Sequence, residues 1–141
     1  MANTIRLKVQ NWAHRRLLAL SHGRAGTKVA GMPTLELTTI GRKSGREHTV
    51  VLMTPIVEGD TIVIVGSRAG DAAHPEWFLN LRETPAVRVS VQHGPEQSMT
   101  ARVATADERA ALWPRVCKTW KGYDRFQRRT SREIPLVLLT P

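Results

Sequence analysis

Apolar positions recur along this chain with two periods. Strand-length apolar or β-branched runs occupy residues 34–40, 49–57, 61–66, 86–91, 97–104 and 134–139. Glu58-Gly59-Asp60 joins the second and third as a hairpin, and His93-Gly94-Pro95 turns the fourth into the fifth. Helical spacing replaces this pattern over residues 4–21. There Ile5, Val9, Trp12, Leu17 and Leu20 recur with Arg15 and Arg16 between them, and Ser21-His22-Gly23 ends a basic amphipathic helix. Residues 22–33, with three glycines and Pro33, read as loop. His74 to Leu81 reads as a short helix with Pro75 in its first turn. Thr105-Ala106-Asp107-Glu108 has the spacing of a capping box, so a second helix starts there. Pro114 inside that pattern predicts a kink or a restart. A further helical turn near 123–130 precedes the last strand.

Six strands with helices between them, and no repeating strand–helix unit, argue against a doubly wound parallel sheet. They favour an antiparallel barrel with helical excursions. No Gly-x-Gly-x-x-Gly follows a strand, so the dinucleotide fold has no support. At 141 residues and 41% apolar composition, the chain should fold as one domain with a real core. No apolar run approaches the ~20 residues of a membrane span, and the N-terminus lacks a secretory pattern. The single cysteine, Cys117, reads as a partly buried helix residue and fits a reducing cytoplasm. His14, His22, His48 and His93 read as scattered surface or loop positions without metal-ligand spacing. His74 stands apart because it opens the short helix.

Charge adds a second layer. The net value is +9 and it is uneven. Residues 1–48 carry +7, residues 49–114 carry −3, and residues 115–132 carry +6. Two basic segments therefore flank a mildly acidic middle. Brought together, they would form a cationic surface suited to nucleic acid, anionic lipid or a phosphorylated cofactor. The sharpest local feature lies in the first segment. Leu37-Thr38-Thr39-Ile40 runs directly into Gly41-Arg42-Lys43-Ser44-Gly45. Such a strand end would aim backbone N–H groups, two cations and a hydroxyl at one spot, as an anion nest requires. An ordinary exposed basic hairpin turn is the alternative.

Four stretches in this order resemble the deazaflavin (F420)-dependent nitroreductase family. They are Leu37–Gly45, Gly66-Ser67-Arg68-Ala69-Gly70, His74 to Leu81 leading to Pro85, and Tyr123-Asp124-Arg125-Phe126-Gln127 with Arg132-Glu133-Ile134-Pro135. The resemblance covers residues 34–141. It implies an α+β fold, mainly antiparallel: a split β-barrel with inserted helices. Residues 1–33 would form an N-terminal helix and loop outside the specific match.

The resemblance also implies roles. Gly41, Arg42, Lys43, Ser44, Gly45 and Arg46 would hold the phosphate and oligoglutamate tail of coenzyme F420. Ser67 would lie near the deazaflavin ring, with Arg68 and Gly70 beside it and Arg68 facing the anionic part. His74, Trp77 and Asn80 would complete the cofactor site, although core packing explains Trp77 as well. Trp120, Tyr123 and Phe126 fall at i, i+3 and i+6, so one helix would carry them on neighbouring parts of a face. By resemblance they would shape the acceptor pocket; an ordinary core stripe is the other reading. Two departures stand out. Only Tyr123 keeps a hydroxyl where the family often has several tyrosines, and His48 stands where the family commonly has arginine.

The implied activity is hydride transfer from reduced F420 to an electron-poor small molecule: an enone, lactone, quinone or nitro compound. Ser67 and Tyr123 are the candidate catalytic donors. FMN or haem on the same barrel is the alternative, since fold does not fix cofactor. A nucleic-acid-binding barrel fits the basic pI but lacks strand aromatics for base stacking; all seven aromatics fall on predicted helices or their ends. No nucleic-acid partner is therefore expected. Helix 4–21 would pack on the barrel or on a membrane surface. A homodimer and a monomer are both compatible with the resemblance.

Overall fold

A computed structural model of the chain describes residues 28–141. The helix expected at 4–21 lies outside these residues. The described chain runs β1 (Lys28–Val29), β2 (Met32–Ile40), β3 (Glu47–Met53), β4 (Ile56–Glu58) and β5 (Thr61–Val65). A 3-10 turn (Arg68–Gly70), α1 (Glu76–Glu83), β6 (Ala86–Val91) and β7 (Glu96–Val103) follow. The chain closes with α2 (Ala106–Thr119), α3 (Gly122–Arg128) and β8 (Leu136–Thr140).

All paired strands are antiparallel, in the order β1-β2-β6-β7-β8-β5-β4, with β3 also on β2. The sheet curls into a split β-barrel. Side-chain alternation explains the curl. Leu35 and Leu37 of β2, Val87 and Val89 of β6, and Met99 and Ala101 of β7 all face one core. Ile62 and Ile64 of β5 and Val137 and Leu139 of β8 join them. Helix α1 closes that core with Trp77, Phe78 and Leu81.

Strands β5 and β8 carry apolar residues at consecutive positions because both of their faces are covered. Val63, Val65, Leu136 and Leu138 point to a second core, under Val116 of α2 and Tyr123 of α3. Burying a Leu or Val side chain is worth roughly 1.5–3 kcal/mol, so this doubly buried pair of strands anchors the sheet.

The structure corrects several expectations. Residues 28–33, read as loop, form β1 and the start of β2, joined by left-handed Ala30 and Gly31 (φ 52° and 78°). The run 49–57 is broken at Thr54-Pro55, where Thr54 donates both its N–H (2.9 Å) and its hydroxyl (2.8 Å) to the Pro33 carbonyl. The break creates the separate strand β4 and, with β1, raises the count among the described residues to eight strands. Pro75 caps α1 instead of lying in its first turn; its carbonyl accepts from the N–H groups of Phe78 and Leu79. Of the kink or restart expected at Pro114, the restart is absent: α2 runs through it as one helix. The last strand starts at Leu136, because Pro135 has no N–H and its carbonyl instead accepts from Gly66 (2.9 Å). No helix among the described residues is long and apolar enough to cross a membrane.

The capping box is present. The Thr105 hydroxyl accepts from the Glu108 N–H (3.2 Å), and the Glu108 carboxylate accepts from the Thr105 N–H (2.9 Å). Thr105→Ala should therefore lower stability by about 1 kcal/mol. Denaturant unfolding with an unchanged m-value would confirm it, and an unchanged midpoint would show that the cap is dispensable.

Candidate active site

Between β3, β5 and α1 the curl leaves a cleft of about 490 Å³. Val50 and Leu52 of β3, Val65 of β5, and Trp77 of α1 give it apolar walls. Arg42, Lys43 and Ser44 stand on its rim at the turn after β2, and Ser67, Arg68 and Ala69 on its rim after β5. An apolar slot with polar groups at its edges is suited to a planar aromatic ligand that carries charge at one end.

Asn80 fixes the first rim. It is 4% exposed and its carbonyl oxygen accepts from both the backbone N–H (3.2 Å) and Nη1 (2.9 Å) of Arg42. Its NH₂ donates to the Thr39 hydroxyl at 3.3 Å. Arg42 Nη1 also donates to Glu76 Oε2 at 2.7 Å. That hydrogen bond holds the Glu76 carboxyl below its usual range, against the opposing effect of burial. The turn itself is closed by Gly41 N–H to Arg46 O (2.7 Å) and Gly45 N–H to Gly41 O (2.8 Å). The Arg46 N–H donates to Ser44 Oγ (3.2 Å). Glycine at position 41 lets two side chains close over the turn: a Cβ there would lie 2.6 Å from Ser44 Oγ and 2.7 Å from His48 Nε2, so both would have to shift.

The N–H groups of Gly41, Arg42, Gly45 and Arg46 are thus consumed inside the fold, so the nest is smaller than the sequence suggested. Those of Lys43 and Ser44 have no partner among the described residues, and Lys43 forms no ion pair among them.

The second rim is strained. Arg68 and Ala69 are both left-handed (φ 45° and 54°), at about 1 kcal/mol or more each for residues with a Cβ. The Arg68 side chain is 7% exposed; its Nη1 donates to the His74 carbonyl (3.3 Å) and its Nε lies 3.6 Å from Asp71 Oδ2. It is held by its own loop rather than extended as a free cation.

The structure brings Gly41, Arg42, Lys43, Ser44, Ser67, Arg68, Trp77 and Asn80 together around the cleft. It leaves Gly45, Arg46, Gly70 and His74 out of the lining. Gly70 (φ 79°) packs under α3, where a Cβ would meet the Phe126 carbonyl at 2.6 Å. His74 lies behind the rim against Phe78 and Arg132. Trp120, Tyr123 and Phe126 do cluster, with ring centroids 5.1 and 5.5 Å apart from that of Trp120, but not on one helix. Trp120 is the extended residue that ends α2. Tyr123 is 2% exposed and borders a second cavity of about 220 Å³, which shares Leu52, Val65 and Ser67 with the cleft. Its hydroxyl donates to Met32 Sδ (3.9 Å), and burial pushes the phenol well above its ordinary value. Trp120 and Phe126 line neither cavity.

Sequence reasoning missed Thr39, His48, Val50, Leu52, Val65, Ala69, Pro75 and Glu76 as lining residues. His48, read as an ordinary surface histidine, sits 3.3 Å from Ser44 Oγ at the cleft mouth. The strand residues carried no such signal, because β3 reads Val50-Val51-Leu52-Met53 as one apolar run and does not distinguish its cleft side.

The fold and cleft define a split-barrel protein whose apolar cleft has the shape and rim chemistry for an aromatic, anionic ligand. The model of the F420H(2)-dependent quinone reductase family matches residues 8–141. An F420H(2)-dependent quinone reductase of Mycobacterium tuberculosis strain H37Rv is 36% identical over 132 residues, which cover 90% of this chain and 87% of that protein. The solved structure of an F420-H2 dependent reductase (FDR-A) superposes with TM-score 0.67 at 31% identity, over 76% of this chain and 93% of that one. A structure described as a domain-swapped dimer superposes with TM-score 0.69 at 30% identity, over 92% and 98%. The chain belongs to the F420H(2)-dependent quinone reductase family. It is an oxidoreductase with reduced coenzyme F420 as hydride donor.

His74 yields a test of this corner. A guanidinium only donates, so the 3.1 Å contact from Arg132 Nη1 makes His74 Nδ1 an acceptor and leaves the imidazole neutral. Burial first, then Arg132 and Arg82, lower its pKa below the ordinary 6.5. The unfolded chain therefore takes up a proton near pH 6.5 that the folded chain refuses until lower pH. Stability should hold above that pH and fall as pH drops below it. In His74→Asn, whose side-chain oxygen can still accept, this part of the acid slope should disappear in denaturant melts between about pH 7 and 5. An unchanged slope would remove His74 from the account.

Proposed function

We propose that the cleft seats the deazaflavin of F420 and that the chain delivers its hydride to a quinone. The observation that carries this is the apolar slot with the Lys43–Ser44 rim at one end. The chain's groups fit the cofactor: Val50, Leu52, Val65 and Trp77 would pack on the ring, and the Lys43 ammonium and the N–H groups of Lys43 and Ser44 would hold its phosphate. When bound, the reduced cofactor supplies a hydride equivalent. The chain's part is to hold, orient and exclude water.

Ser67 lines both cavities, so its hydroxyl can donate to charge developing on an acceptor that spans them. The Tyr123 phenol, raised by burial, stays protonated through the working pH range. It serves as a wall, its one proton given to Met32 Sδ, and solvent supplies the proton that completes reduction. The quinone assignment rests on the name of the family and its relatives. Enones, lactones and nitro compounds are the further acceptors that an apolar second cavity admits. The relative described as a domain-swapped dimer supports a homodimeric assembly for this chain as well.

Titration with oxidised F420, followed by tryptophan fluorescence with FMN in parallel, tests the reading. Lys43→Ala should weaken F420 binding about tenfold, the loss of one charge-assisted contact of roughly 1.5 kcal/mol. Raising the salt should shrink that difference. FMN binding in place of F420 would assign the cleft to another flavin chemistry, and binding of neither would return the turn to an ordinary basic loop.

A further inference from the structure

Arg132 was not among the residues expected at the site, and it lines neither cavity. Its guanidinium nevertheless makes four contacts to the chain that builds the second rim. Nη1 donates to Gly66 O (3.2 Å) and to His74 Nδ1 (3.1 Å). Nη2 donates to Ser67 O at 2.7 Å, and Nε donates to Asp71 O at 2.8 Å. These acceptors lie on both sides of the left-handed pair Arg68-Ala69. Ser67 O also accepts from Gly70 N–H (2.9 Å), and Arg68 O from Asp71 N–H (3.0 Å), so the loop is closed from inside and clamped from outside.

We infer that Arg132 is a positioning residue: its planar fork cross-links residues 66, 67, 71 and 74 and holds Ser67, Arg68 and Ala69 in the strained shape that borders the cleft. Two left-handed residues bearing a Cβ persist only where surrounding contacts over-determine them. A guanidinium can do this because its five donors are fixed in one plane. An ammonium keeps the charge but cannot span three carbonyls on two sides of a loop. The inference rests on the cleft being the F420 site.

Arg132→Lys tests it, with Arg109→Lys as control. Arg109 is a comparable half-buried clamp on the same C-terminal segment, donating to Ile134 O and Gln127 Oε1 away from the cleft lining. Arg132→Lys should weaken F420 binding about tenfold to a hundredfold, as misplacement of a site by about an ångström does. Arg109→Lys should stay within about twofold. In the same Arg132→Lys protein, the Gly70 and Asp71 amides should lose hydrogen-exchange protection while β5 keeps its own. The His74 Nδ1 resonance, released from the Arg132 hydrogen bond, should shift by NMR.

Wild-type binding by Arg132→Lys, or equal losses in both variants, would overturn the inference. If Arg132→Lys does not fold, exchange in the unmodified chain decides. Gly70 and Asp71 amides as slow as those of β5 support the clamp, and exchange as fast as in exposed turns overturns it. If the unmodified chain fails to bind F420, the cofactor reading fails, and the exchange and NMR readouts still test the clamp.

Discussion

The buried amide of Asn80 is the contact on which the cleft depends. It joins the end of β2 through Thr39, the following turn through Arg42, and the helix α1 that carries it. A buried amide must be satisfied or it costs about 1–3 kcal/mol, so the turn cannot drift from the helix without stranding it. The same three elements supply the apolar wall at Trp77 and the rim at Lys43. Cleft width is therefore set by a hydrogen-bond network whose members sit on rigid elements.

That network changes how the charge should be understood. Arg42 looks like an anion ligand in the sequence, yet Glu76 and Asn80 occupy its Nη1. Arg68 is buried along its own loop, and Arg132 is spent on carbonyls. These three arginines build or brace the walls, and Lys43 is the exposed lysine on the cleft rim. The division follows from the side chains: a planar fork is suited to fixing several carbonyls or a carboxylate, and a flexible ammonium to meeting a phosphate at the surface.

Much of the fold was legible because period-2 alternation and turn chemistry are local. Strands β2, β5, β6 and β7 and the capped start of α2 needed no tertiary information. The misses were non-local. β1 is a two-residue strand that exists only because it pairs with β2. The break at Thr54 depends on the Pro33 carbonyl, 21 positions away. Trp120 was placed on a helix by spacing alone, but the helix ends there and the ring turns back over Tyr123.

At the site, the glycines and cations of the turn could be read off, but which of their donors remain available could not. That depends on Asn80 and Glu76, more than thirty positions downstream. Arg132 is the extreme case. It lies in a stretch that carries the family resemblance, yet nothing there names its acceptors, which lie 58 to 66 positions earlier. A residue that shapes a site through backbone carbonyls leaves no pattern of its own in the sequence, because any residue type can supply the carbonyl. The signal that does remain is indirect: two Cβ-bearing residues in left-handed conformation must be held by something, and in this fold the Arg132 guanidinium donates to carbonyls on both sides of them.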